Sequence, residues 1–322
     1  MNKSLGDALR RLNLIQKGAN MKPARFFSMT KIVLLGHVFN PFWKSRIERR
    51  KIRTDLTADV VTKYFKRYLK TVADVPETKP VKDDENDKIF TIWLQGEENA
   101  PALVKACYRS VRRHCKQELV VLDAKSVFDY ISLPKEIVQK YKDGKIGHAH
   151  FADICRVELL YKYGGYWLDS TGFVTAPIPD WIEKQDFFVY LTGDNYNIGG
   201  SPYSFMQNCF IRARKGAYLL AAWRSMILDY WMHENHIFDY FMHQLLFKTL
   251  VENDERAKKY FEQMPHVAQD PTHALWWEYQ NKPFDKKVFD EVTSGAFFQK
   301  TTYRGSDNPV PGSFADVMIN KM

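Results

Sequence analysis

The sequence predicts an α/β fold built on a largely parallel sheet with helices on its faces. Three observations carry that prediction. Between residues 89 and 141, apolar runs of strand length alternate with helical segments. A long helical pattern then stops at Gly164-Gly165 and gives way at once to a short apolar strand ending in Asp169. Finally, 45% of the 322 residues are hydrophobic and 15% aromatic, which supplies a core and excludes disorder over the whole length.

The first 75 residues read as a basic, helical arm. Residues 1–70 hold 17 Lys or Arg against 4 Asp or Glu, and the remainder holds 30 against 34. The net charge of +9 therefore belongs to the arm. Phe26, Phe27, Ile32, Leu34, Leu35, Val38, Phe39, Phe42 and Trp43 are interleaved with its cations. That mixture suits a helix lying in an anionic membrane surface, and equally a helix packed on the rest of the protein with its charges solvated. No nucleic-acid reader motif accompanies the charge, so nucleic acid is not expected as a partner. The first 20 residues lack the apolar stretch of a signal peptide, and no run is long enough to span a bilayer. Cys107, Cys115, Cys155 and Cys209 form no C-x-x-C pair and no zinc pattern, as expected of a reduced, cytoplasmic protein.

A polar linker, Val75 to Lys88, separates the arm (1–75) from the main domain (76–322). Ile89 to Leu94 is the first strand and Gln95-Gly96 its turn. Ala100 to His114 is helical, with Pro101 in the first turn, where a missing N–H costs nothing. Leu119 to Asp123 is the second strand and Pro134 to Tyr141 a short helix. Beyond residue 180 the pattern is mixed. Phe205 to Ala213 reads as a strand, and 218–233 and 236–251 as long apolar helices. The aromatics of those helices, among them Trp223, Tyr230, Trp231, Phe238, Tyr240 and Phe241, are expected mainly in the core.

The chemistry lies between His150 and Pro179. Over 150–163, Ile154, Val157, Leu160 and Tyr161 repeat at helical spacing, and Asp153 and Arg156 share a neighbouring face. Asp169 sits at the end of the strand Tyr166-Trp167-Leu168, where open α/β sheets bind ligands. A carboxylate there can hold a divalent cation, and a guanidinium can hold phosphate or sugar. On spacing alone, a surface Asp153–Arg156 pair and a turn-forming Asp169 fit as well.

The string HFADICRVELLYKYGGYWLDSTGFVTAPI resembles the sugar-binding region of DXD-type glycosyltransferases. More narrowly, it is similar to the bacterial capsular polysaccharide synthesis branch of glycosyltransferase family 32. Asp153, Arg156, Leu160, Tyr161, Tyr163, Gly164, Gly165, Trp167, Asp169 and Thr171 match that pattern in order. IWLQGEENAPALVKACYRSVRRHC, FMQNCFIRARKG, DYFMHQLLF and FFQKTTYR extend the likeness over about residues 89–304. The resemblance implies a GT-A-like fold, a mixed Rossmann-type sheet flanked by helices. It implies transfer of a sugar from a nucleotide-sugar donor with retention of configuration.

It also implies roles. Asp169, Asn208 and Asp239 would be the catalytic set. Trp93, Gln95, Asp153, Arg156, Gly165, Thr171 and Lys300 would bind the donor. Asp169 and Gln299 would ligate a manganese or magnesium ion. Two departures bear on that ion: Thr171 stands where the wider superfamily has a second aspartate, and Gln299 where the family has a histidine. Lys300 and Arg304 offer another means of neutralising the diphosphate. The implied acceptor is an oligosaccharide or a lipid-linked glycan in capsule or exopolysaccharide assembly. That places the enzyme in the cytoplasm, peripherally bound to the inner membrane face through residues 1–70. The rival expectations are a non-catalytic nucleotide-sugar or carbohydrate-binding module and a basic scaffold for membranes or nucleic acid.

Overall fold

The computed structural model describes residues 58–80, 87–192 and 205–322. The apolar and basic positions named in the arm up to residue 57 lie outside the described residues. Residues 58–65 are helical and run into a tighter turn, Lys66–Val72. Tyr64, Phe65, Tyr68 and Val72 are buried in the main core, and the Tyr64 and Tyr68 hydroxyls both donate to Glu234, at 2.5 and 2.9 Å.

The centre is a five-stranded sheet. Its strands are β1 (Ile89–Ile92), β2 (Leu119–Leu122), β3 (Gly165–Leu168), β5 (Phe187–Leu191) and β6 (Met206–Ala213), in the order β2-β1-β3-β6-β5. β2, β1 and β3 are parallel, and β6 runs antiparallel to both neighbours. A second, two-stranded sheet pairs β4 (Gly172–Val174) with β7 (Phe298–Lys300). The mixed sheet is the one the GT-A-like reading requires, whereas strand–helix alternation alone predicted mostly parallel pairing. β5 and β6 lie in the part of the chain where that alternation fades.

The helix α1 (Ala102–His114) begins after Pro101, and α2 (His148–Tyr163) carries Asp153 and Arg156. α2 is buried nearly all round: Phe151, Ile154, Cys155, Val157, Leu159 and Leu160 are all fully inaccessible. The expected single apolar face is therefore too narrow a description, and Tyr161, assigned to it, is 42% exposed under the Arg224 guanidinium. A helix with apolar residues on every side lies inside a fold rather than on it.

α3 (Tyr218–His233) has the predicted bounds. The next helix, α4 (Met242–Asn253), starts six residues later than the pattern from 236 suggested. Asp239 explains the late start: its carboxylate accepts the Phe241 N–H at 2.8 Å, a turn that competes with continuing helix. Trp223, Tyr230 and Trp231 are fully buried, as expected, but Tyr240 is 62% exposed. All four cysteines are unpaired. Among the described residues, no helix is long and apolar enough to cross a membrane.

Candidate active site

Parallel β1, β2 and β3 end along one edge of the sheet, so Trp93 and Asp169 emerge there together. β6 runs the other way and begins at that edge. The Asp169 N–H donates to Cys209 O at 2.8 Å, which sets Asn208 beside Asp169. β7 brings Lys300 opposite Gly172, three residues after Asp169.

The glycine pair makes this convergence possible. Gly164 and Gly165 have φ of 75° and 93°, which turns the chain from helix into strand within two residues. A Cβ on Gly165 would lie 2.5 Å from the Lys88 carbonyl oxygen, so only glycine lets β3 dock on β1. Gly165 starts β3 and Asp169 follows its far end, roughly 13 Å away at strand rise. Gly165, expected among the donor-binding residues, thus shapes the backbone and is not brought to the charged cluster.

Asp169 is the hub. Its Oδ1 accepts from Trp167 Nε1 at 2.8 Å and from Arg156 Nη2 at 3.2 Å, and its Oδ2 accepts from Lys300 Nζ at 2.6 Å. Arg156 is 5% exposed and shares Nη2 with Asp153 Oδ1 at 3.0 Å. Its Nη1 donates to Asn208 O at 2.5 Å, and its guanidinium lies 4.7 Å above the Trp167 ring. The pair that spacing alone could assign to the surface is therefore buried and joined to the strand end. Such pairs hold together because each charge has partners to replace water.

The protonation equilibria follow from this geometry. Burial alone would push Asp169 up, but Lys300 and Arg156 hold it below its ordinary value. Burial would lower Lys300, but Asp169 and Cys209 raise it. Asp153 goes the other way: burial raises it despite Arg156 and His150. His273, buried near Lys300, is pushed down to about 3 by burial and that positive charge. It is a neutral imidazole at any physiological pH.

Trp93 lies just past β1, its ring edge-on to Tyr303 with centroids 5.2 Å apart. Its indole N–H is buried without a partner among the described residues. Gln95 is exposed in the following turn. Thr171 is buried, and its carbonyl accepts the Thr301 N–H at 2.8 Å. Asp239 lies in the segment before α4, whose Tyr240 carbonyl accepts from His150 Nε2 at 3.2 Å. That ties Asp239's segment to α2 one turn before Asp153.

Gln299 is brought elsewhere. Alternation along β7 turns it away from Lys300. It is fully buried, its Oε1 accepts the Leu275 N–H at 3.2 Å, and its Nε2 donates to Pro271 O at 2.8 Å. Both Asp169 oxygens are engaged by cations and an indole. Among the described residues, no three His, Cys, Asp or Glu side chains converge as a metal site. The expected cation set of Asp169 and Gln299 is not assembled in this arrangement.

Three participants stand outside the expected set of site residues. Trp167 donates to Asp169 instead of merely filling the core. Tyr240 stands exposed beside the cluster. Gln244 donates from Nε2 to Asn208 Oδ1 at 3.3 Å, and Asn208 Nδ2 donates to Asp153 Oδ1 at 2.9 Å. Gln244 lies inside the DYFMHQLLF stretch, whose helical part from Met242 is mostly apolar, so one amide there carries no signal of its own.

The profile of the family described as capsular polysaccharide synthesis protein matches residues 40–317, most of the chain. The chain is similar to the glycosyltransferase afumC of Aspergillus fumigatus, 28% identical over 173 residues, covering 50% of this chain and 44% of that protein. It is similar to the O-glycosyltransferase braB of Annulohypoxylon truncatum, 26% identical over 180 residues, 52% of this chain and 42% of that protein. The matched stretch is less than half the length of either relative. Among solved structures, it aligns with the PaToxG glycosyltransferase at 12% identity and a TM-score of 0.37, over 66% of this chain and 84% of the other. By the extent of its profile match, the chain belongs to the capsular polysaccharide synthesis protein family.

Proposed function

Taking that membership as the premise, we propose that the chain is a glycosyltransferase that moves a sugar from a nucleotide-sugar donor to a glycan acceptor. One observation carries the reading: buried Asp153 and Arg156 and half-buried Asp169, Asn208 and Lys300 converge in one network at the carboxyl edge of the sheet. This edge takes ligands in open α/β folds, and the network's two cations suit a diphosphate. The two relatives named as glycosyltransferases support the same reading. We further assign the chain to the family 32 lineage with a DXD-like motif in which Thr171 replaces the second aspartate.

In this reading Trp93 and Gln95 line the nucleotide pocket. Arg156 and Asp153 hold hydroxyls of the donor sugar. Lys300 keeps one N–H on Asp169 and has two more for phosphate oxygens. Asn208 and Asp239 lie toward the reacting carbon and the acceptor. The bond from the sugar's anomeric carbon to the phosphate oxygen breaks, and its electron pair leaves with the nucleoside diphosphate. The acceptor oxygen bonds to the same carbon on the same face, which retains configuration. Its proton passes to the departing phosphate oxygen, so no separate base is needed. Developing charge on that oxygen meets Lys300 and Arg156, fixed donors of the kind that stabilise transition states. The residues present do not fit a divalent cation, since Gln299 is committed to Leu275 and Pro271 and both Asp169 oxygens are held by Arg156, Trp167 and Lys300.

The acceptor is proposed to be a lipid-linked oligosaccharide of capsule or exopolysaccharide assembly, reached at the inner membrane face through the basic arm. Liposome sedimentation tests that part with a chain lacking residues 1–57. A cut at residue 70 would strip Tyr64, Phe65 and Tyr68 from the core. Undiminished binding to anionic liposomes after the shorter cut would remove the arm's role.

The central test incubates the protein with a panel of nucleotide-sugars, with EDTA or with manganese, and scores nucleotide release. Release of one nucleotide, reduced about 1,000-fold in Asp169→Asn, is expected from loss of a group that orders both cations. Donor binding by calorimetry with no release under any acceptor would favour the binding-module alternative. Absence of binding to every donor would overturn the transferase reading.

A further inference from the structure

The hydrogen-bond directions in the buried network can be derived in sequence. Asp153 Oδ1 accepts from Arg156 Nη2 at 3.0 Å, and a guanidinium can only donate. That oxygen is therefore an acceptor, whichever state the other oxygen is in. Asn208 must then present its Nδ2 to it, at 2.9 Å. This turns Asn208 Oδ1 to the far side, where it can only accept. Gln244 in turn must present Nε2 to Asn208, at 3.3 Å. Two amides in series are thus oriented by one carboxylate, and ambiguity between their oxygen and nitrogen is removed.

What remains at the end of the relay is Gln244 Oε1. Gln244 is 6% exposed, and Oε1 is buried with no donor among the described residues. Buried acceptors are almost always satisfied, so an exception requires an account, and beside a candidate ligand site a donor on the ligand is one that can be tested. A phosphate oxygen cannot supply it, since a diphosphate offers acceptors only. An O–H group can, and so can an amide N–H.

We infer that Gln244 is a specificity-determining residue that accepts a hydrogen bond from one sugar hydroxyl, or from the N–H of an acetamido group in its place. The inference rests on the proposed transferase activity and deepens it: beside Arg156 and Asp153 it assigns a further reader, for one particular hydroxyl or acetamido group. Asp153 and Asn208 act through Gln244 as positioning residues for this contact. A site built around a hydroxyl rejects the analogue lacking it far more strongly than an apolar pocket rejects a change of size, because its own polar group is then left buried and unpaired.

The test compares kcat/KM for the donor found in the panel, and for its monodeoxy and monodeoxyfluoro analogues, in wild type and in Gln244→Met. A parallel series varies single hydroxyls of the acceptor. Wild type is expected to reject one analogue by about 100-fold or more. In Gln244→Met that ratio should fall to within about 3-fold, because the substitution removes the acceptor that this hydroxyl or N–H meets, while the other analogues keep their ratios. Should Gln244→Met fail to fold, Gln244→Asn withdraws the oxygen by one methylene and carries the same comparison.

Collapse of the ratio in the donor series assigns the contact to the transferred sugar, and collapse in the acceptor series assigns it to the acceptor. Unchanged ratios across both series, in a variant that still turns over, would overturn the inference and leave the transferase reading standing. Absence of donor binding by wild type in calorimetry would overturn both.

Discussion

Two buried arginines, Arg156 of α2 and Arg212 of β6, stack on the rings of consecutive residues of β3 and make a controlled comparison. Arg212 lies 4.6 Å above the Tyr166 ring, and Arg156 lies 4.7 Å above the Trp167 ring, on opposite faces of the strand. Each is at least nine-tenths buried and bonded to an aspartate. Each also leaves its Nε without a partner among the described residues. By any single one of these marks they are equals, so a buried arginine over an aromatic ring does not identify a site.

Their partners separate them. Arg212 bonds Asp87 at 2.6 Å and the carbonyls of Gly165 and Glu183 at 3.3 and 3.5 Å. These are local ties that close the amino end of the sheet. Arg156 is shared by two carboxylates, one of which is shared again with Lys300. The other leads through two amides to an unmet acceptor. Carboxylates held in common by several cations, ending in an unsatisfied group, are what distinguish a site from a staple.

Replacing each arginine by lysine should break the resemblance most strongly. Lysine keeps the charge but loses the planar fork that serves several acceptors at once. Arg156→Lys is expected to cost about 100-fold in kcat/KM, of the order lost with one oriented donor. Arg212→Lys should stay within about 3-fold, its cost appearing as a lower melting temperature. Equal losses of turnover in the two variants would erase the distinction drawn between the two ends.

Gly165 sharpens the structural end. Gly165→Ala meets both a φ of 93° and the Lys88 carbonyl at 2.5 Å. A loss of about 3 kcal/mol is expected by denaturant titration, from left-handed strain plus overpacking. Gly144→Ala has a φ of 72° with open space around it. That isolates the strain alone, about 1 kcal/mol. Turnover per folded molecule should be kept in both.

The same contrast explains what was legible in the sequence. The α2–Gly-Gly–β3 segment could be read because spacing, turn chemistry and strand end all fall within one short stretch. Asp153, Arg156 and Asp169 do meet as their order suggests. Lys300 is pointed to by the likeness of FFQKTTYR to the family's C-terminal segment, but strand alternation decides that it, and not Gln299, faces Asp169. One residue of register separates a cation at the hub from an amide bonded to Leu275 and Pro271. Gln244 was silent because its meaning depends on Asn208, 36 residues away. The antiparallel β6 was likewise invisible to local alternation, since strand direction is set by tertiary pairing.

The smallest effect separates the two carboxylates that share Arg156. Asp169 is held below its ordinary value of 3.8, so its ionised form is favoured by folding. That stability is present above pH 3.8 and is lost as pH falls through the lower folded value. Asp153 is raised above the same 3.8, because burial outweighs Arg156 and His150. Its contribution is present below pH 3.8 and is lost as pH rises through the higher folded value. Melting temperatures of wild type, Asp169→Asn and Asp153→Asn between pH 7 and pH 3 read these two contributions directly. The gap between wild type and Asp169→Asn should shrink toward the acid end. The gap between wild type and Asp153→Asn should move in favour of wild type over the same interval. Parallel slopes would mean that the two carboxylates titrate as one delocalised pair across the guanidinium. Opposite slopes would show that Arg156 and Lys300 hold the strand-end carboxylate charged while the helix carboxylate resists ionisation, which is the asymmetry that lets Asp169 order cations and Asp153 order amides.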